Sequence, residues 1–136
     1  MGASGVDTFD DDYAADWLGD FLEAPSEAAI YRALECAQPH SEAGVAAQGL
    51  AAAEVVAALR GAPSASLQRT LDRRNSTLSM RTTPRLERIA LDAVDNIATT
   101  SELRELWEET DGGLPSWLGA LADLRSRLAS PMSSQS

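Results

Sequence analysis

The sequence predicts an all-α fold, a compact single-domain bundle of about six helices around a central alanine-rich helix. Three observations predict it. Apolar residues recur at helical spacing along most of the chain, and no segment sustains strand alternation. Pro, Gly, Ser, Thr and Asp fall between the periodic segments, where helices start and stop. One segment, Ala43 to Leu59, has only two strongly polar side chains, Gln48 and Glu54. A helix apolar nearly all round belongs at the centre, where its small residues let neighbours approach.

Each element follows from local chemistry. Residues 1–9 lack helical period and read as an extended arm that ends where Phe9 tucks in. Asp10, Asp11 and Asp12 then supply an N-cap and first-turn negative charge, both favoured by the helix dipole. Tyr13, Trp17, Leu18, Phe21 and Leu22 form one apolar stripe on a first helix over about residues 11–23. Pro25 stops it, and Ser26 caps a second helix that turns Ala29, Ile30, Ala33, Leu34 and Ala37 inward. Pro39 breaks that helix, and Gly61 and Pro63 end the central one. A short helical stretch covers Leu67 to Asp72, and Asn75 to Thr82 reads as a loop. Thr83-Pro84 is a strong helix start, followed by Leu86, Ile89, Ala90, Ala93, Val94 and Ile97. Thr99 and Glu102 have capping-box spacing before Leu103, Leu106 and Trp107. Gly112 and Gly113 precede a last helix bearing Trp117, Leu121, Leu124 and Leu128. The domain thus spans 10–129, with a flexible tail over 130–136.

The chain of 136 residues carries a net charge of −10, unevenly placed. Residues 1–59 hold eleven acids against Arg32, whereas residues 60–136 hold ten acids and ten arginines. Such a charge repels nucleic acid and anionic membrane and attracts a basic protein surface. No apolar run is long enough to span a bilayer, and no charged-then-apolar leader opens the sequence, so a cytoplasmic protein is expected. A single cysteine, Cys36, excludes an internal disulfide and a multi-cysteine zinc site.

The run Met1-Gly2-Ala3-Ser4-Gly5, then Phe9-Asp10-Asp11-Asp12, Ala14 and Asp16-Trp17-Leu18, resembles the opening of a bacterial domain-of-unknown-function family, number 4259. Further similarity lies in Ala51-Ala52-Ala53-Glu54 with Val56 and Ala57, in Ser101-Glu102-Leu103 with Leu106-Trp107-Glu108, and in Trp117 with Leu124, Arg125, Arg127 and Leu128. Ser4 stands where the family usually has Trp, and Asp11 where it usually has Asn. The resemblance implies a bacterial origin, a helical fold and the domain boundary, and carries no chemistry.

Candidate sites are few. Asp10, Asp11, Asp12, Asp16 and Asp20 form an acidic first-helix cluster suited to a basic partner. Asp12 and Asp16, one turn apart, would hold a hard cation with Glu54 as a third oxygen ligand, while a solvated helix face accounts for the same residues. Glu54 itself, in an apolar helix, must be paired or protonated, and its expected partner is an arginine from residues 60–136, such as Arg88 or Arg125. Cys36 and His40 are separated by Pro39, so Cys36 reads as a partly buried apolar side chain rather than a nucleophile. Arg69, Arg73, Arg74, Arg81, Arg85 and Arg88 form the basic stretch, expected to lie as counter-charge beside the acidic part. Phe9, Trp17, Trp107 and Trp117 lie on apolar stripes and read as structural. No phosphate loop, nucleophile elbow or zinc motif is present, and no cofactor is expected.

Three functions follow as expectations. The first is a non-enzymatic module that binds a basic protein, one version being an immunity protein that covers a toxin's positive active site. A second is a metal-assisted hydrolase built on Asp12, Asp16 and Glu54. The third is a homo-oligomer, in its simplest form a homodimer, burying apolar surface of Ala43 to Leu59 between copies.

Overall fold

A computed structural model describes residues 6–129. Within them lie a 3-10 turn, Thr8–Asp10, and seven α-helices: α1 Asp12–Glu23, α2 Glu27–Cys36, α3 Ala43–Leu59, α4 Ala65–Arg73, α5 Pro84–Thr100, α6 Glu102–Glu108 and α7 Gly113–Ala129. The described residues contain no strand. The tail expected at 130–136 and the first five residues of the arm lie outside the described residues. The rest of the arm departs from expectation: Asp7 caps the 3-10 turn through the Phe9 amide, and Val6 and Phe9 pack against the core.

α3 is the axis of the bundle. Every residue from Ala46 to Ala57 except Gln48 is buried, and α3 packs against each of the other helices and the 3-10 turn. The apolar surface that would favour a homo-oligomer is therefore covered within one chain. Gly49 marks the closest approach: a Cβ there would sit 2.8 Å from the Ala37 Cβ and 3.2 Å from Ile97 Cδ1.

The helix ends are satisfied in ways only partly expected. Asp11 Oδ1 accepts from the Tyr13 and Ala14 amides at 2.8 and 3.3 Å. Ser26, Ser64 and Thr83 cap α2, α4 and α5. The expected Thr99–Glu102 capping box does not form, because α5 continues through Thr100. Ser101, extended and fully buried, caps α6 instead and donates to the Ile97 carbonyl. That leaves Glu102 free to cap a different helix. Its carboxylate accepts from the Ala43 amide at 2.8 Å, at the start of α3, which has no side-chain cap of its own. At the other end, Gly61 (φ +90°) lets the Ala62 amide reach back to the Ala57 carbonyl, closing α3.

Two stripe residues face outward after all: Tyr13 is 59% exposed and Leu106 48%. Tyr13 lies over Gly44, whose added Cβ would meet the ring at 3.1 Å. Cys36 is also exposed, not partly buried, because α2 ends there and turns Ala37 inward instead.

Gly49→Ala tests the packing of α3. Alanine's helix propensity favours the change by about 1 kcal/mol. The added methyl meets a Cβ fixed to another helix, and such overpacking costs about 1–3 kcal/mol. Urea denaturation is expected to show net destabilisation; a gain in stability would mean α2 and α3 stand further apart.

Candidate functional site

The polar residue of α3 has a defined partner. Glu54 is 4% exposed, and its Oε1 accepts from Arg127 Nη1 at 3.0 Å. Oε2 accepts from Thr8 Oγ1 at 3.1 Å and from Arg127 Nη2 at 3.4 Å. Neither Arg88 nor Arg125 fills this role: Arg88 is exposed, and Arg125 pairs with Asp95 at 2.6 Å on the surface. Arg127 also binds Asp123 at 2.9 Å and the Ala62 carbonyl at 3.2 Å, while its own carbonyl accepts from Arg60 Nη1. Burial pushes the Glu54 carboxyl above its ordinary 4.5, and the hydrogen bonds and charge from Arg127, with Thr8, offset only part of this.

Thr8 belongs to the N-terminal turn, so Glu54 tethers that turn. A second tether is Ser66 Oγ, which donates to Asp7 Oδ1 and Oδ2 at 3.0 and 2.8 Å. Outside the pair lies a cleft of about 330 Å³ lined by Asp7, Thr8, Glu54, Ser64, Asp123 and Arg127, among others. In it the one guanidinium is already engaged by two carboxylates.

On its other side the N-terminal turn bounds a smaller pocket of about 90 Å³. Ala47, Leu50, Leu103 and Trp117, all buried, line it together with half-buried Val6, Asp7, Thr8, Asp11 and Trp107. The Trp107 and Trp117 rings lie nearly parallel, 6.3 Å between centroids and 14° between planes. They meet because the turn at Gly112 (φ +70°) folds α6 back on α7. Gly113 permits the approach, since a Cβ there would fall 2.8 Å from Trp107 Cε3.

A family model for a domain of unknown function (DUF4259) matches residues 2–120. The chain belongs to the DUF4259 family. No curated protein and no solved structure matches it. The DUF4259 match takes in Glu54 and every residue lining the small pocket, and stops within α7 before Asp123 and Arg127. The similarity at Leu124, Arg125, Arg127 and Leu128 thus lies beyond the matched residues.

Asp10, Asp12, Asp16 and Asp20 are exposed, and Asp11 is half-buried as the α1 cap. The metal trio Asp12, Asp16 and Glu54 does not assemble. Among the described residues no three carboxylate, imidazole or thiol groups converge, and Glu54 is taken up by Arg127 and Thr8. Nor do the arginines from Arg69 to Arg88 act as direct counter-charge. Among the described residues none of them forms an ion pair with an N-terminal acid, although Arg74 Nη2 lies beside α1, 3.5 Å from where a Gly19 Cβ would sit. Phe9, Trp17, Trp107 and Trp117 pack on or in the core, with Trp17 stacked on Phe21 at 5.1 Å. Reading the sequence misses Asp7, Thr8 and Arg127, whose roles depend on contacts 46 to 73 residues apart in the chain.

The raised carboxyl makes stability depend on pH. Where Glu54 is still protonated in the fold but ionised when unfolded, the native state holds more protons, so stability falls as pH rises. Above 4.5, wild type is expected to lose stability relative to Glu54→Gln, which does not titrate, until the folded carboxyl has ionised. Arg127→Ala is expected to cost about 3–5 kcal/mol at neutral pH by stranding a buried charge. That cost shrinks in acid. Urea denaturation across the pH range checks both, and a pH-independent difference between wild type and Glu54→Gln would contradict the burial of the charge.

Proposed function

We propose that the protein is a non-catalytic interaction module that binds a basic protein partner through the outer face of α1. The observation that carries the reading is the state of Asp10, Asp12, Asp16 and Asp20. All are exposed, and none pairs with a basic side chain among the described residues. Carboxylates left unpaired on α1 and the turn before it, in a chain of net charge −10, make a field that steers a positively charged surface and opposes nucleic acid. Exposed Tyr13, on the same helix, adds the aromatic anchor that interface centres favour.

The setting that fits this chemistry is a bacterial cytoplasm, and the most concrete version is an immunity protein occluding a toxin's basic active site. No helix among the described residues is long and apolar enough to cross a membrane. Among those residues no three potential metal ligands converge, and this favours binding over metal-assisted hydrolysis.

Co-purification from the native host, followed by titration with the purified partner, tests the reading. The partner is expected to be basic, and its association rate to fall steeply with added salt. Asp12→Asn, Asp16→Asn and Asp20→Asn together are expected to abolish capture, while each changes stability by no more than ~0.5 kcal/mol. Binding that survives the triple variant, or is indifferent to salt, overturns the acidic-face reading.

A further inference from the structure

We infer that the pocket between the N-terminal turn and the paired tryptophans is the receptor for an arginine side chain of the protein partner. This rests on the reading above only in taking the partner to be basic. The pocket is about 90 Å³, room for roughly three waters and so for a planar guanidinium. Within its buried lining, Ala47, Leu50 and Leu103 are aliphatic and offer no hydrogen bond. Trp117 and the half-buried Trp107 add indole surface, the side chain that holds a stacked cation best.

The half-buried lining supplies the complementary charge. Among the described residues that line it, Asp7 and Asp11 are the ionisable ones, both acidic. Asp11 is half-used: Oδ1 caps α1, and Oδ2 has no hydrogen bond among the described residues. Asp7, which also lines the polar cleft, is held by Ser66 and the Phe9 amide and adds a fixed negative charge beside the pocket. An apolar aromatic lining with a carboxylate beside it suits a cation that is weakly hydrated and flat. Arginine meets that description better than lysine, whose ammonium is compact and strongly hydrated.

The test uses the full chain labelled with ¹⁵N and a capped Gly-Arg-Gly tripeptide, with citrulline and leucine tripeptides as neutral controls. The indole N–H resonances of Trp107 and Trp117 are expected to shift saturably with the arginine peptide, while that of Trp17 stays in place. Its Kd is expected to be about tenfold lower than those of both controls. Asp11→Asn, which keeps a good α1 cap, is expected to weaken arginine binding about threefold to tenfold. Ala47→Leu, which fills the pocket without changing charge, is expected to abolish the indole shifts. Trp107→Leu, at a half-exposed position, serves where Ala47→Leu fails to fold and is expected to remove the shift at Trp117.

The Asp12→Asn, Asp16→Asn, Asp20→Asn variant separates this inference from the broader reading, because it leaves the pocket lining intact. It is expected to bind the tripeptide as wild type does. Shifts confined to α1 amides would overturn the pocket and leave the acidic face standing. Equal binding of the leucine or citrulline peptide, or no indole shift at saturating peptide, overturns the arginine receptor.

Discussion

A helix with no polar face has to be enclosed, and α3 sets that condition for the whole molecule. Its 17 residues include a continuous buried run from Gly49 to Ala57. Burying such a run within one small chain demands neighbours on every side, and all the other helices supply them. Small side chains make this possible: alanines and Gly49 bring α2 and α5 to within contact of the α3 backbone. The backbone groups at the two ends of a helix have no partners within it and must find them elsewhere. Glu102 of α6 meets this need at the start, and the Gly61 turn meets it at the finish.

Glu54 is the exception inside that run, and it organises what surrounds it. A buried carboxylate needs both a counter-charge and hydrogen bonds, and no residue of α3 can provide them. The counter-charge comes from Arg127 near the end of α7, and a hydrogen bond comes from Thr8 before α1. One acid thereby joins the two ends of the described chain across the central helix. Its pKa is raised despite these partners, so desolvation outweighs the pairing. Through Thr8 the arrangement ties the N-terminal turn to α3. That turn separates the polar cleft at Glu54 from the tryptophan pocket, and Asp7 and Thr8 line both.

The remaining charges divide by role. Arg127, Asp123, Arg125 and Asp95 are engaged with one another or with Glu54 in the second half of the chain. The α1 acids remain turned to solvent, and the arginines from Arg69 to Arg88 do not neutralise them by contact. Self-repulsion among unpaired acids works against compactness, and an outward-facing field is what remains available for recognition.

The all-helical class, the bounds of α3, the helix starts at Ser26 and Thr83-Pro84 and most core positions follow from the sequence by itself. Each depends on residues within a turn or two of one another, where helical period and capping chemistry act. Even the burial of Glu54 and its need for an arginine could be read this way, since an acid in an apolar helix has few alternatives. Tertiary structure alone decided which arginine answers it, that Glu102 caps α3 rather than its own segment, and that Tyr13 and Leu106 face outward. It alone separated Asp12 and Asp16 from Glu54 and brought Trp107 and Trp117 together over Gly113. These depend on how helices distant in sequence cross. The crossing is set by steric fit at positions such as Gly49 and Ala37, which local periodicity marks as apolar and leaves without an address.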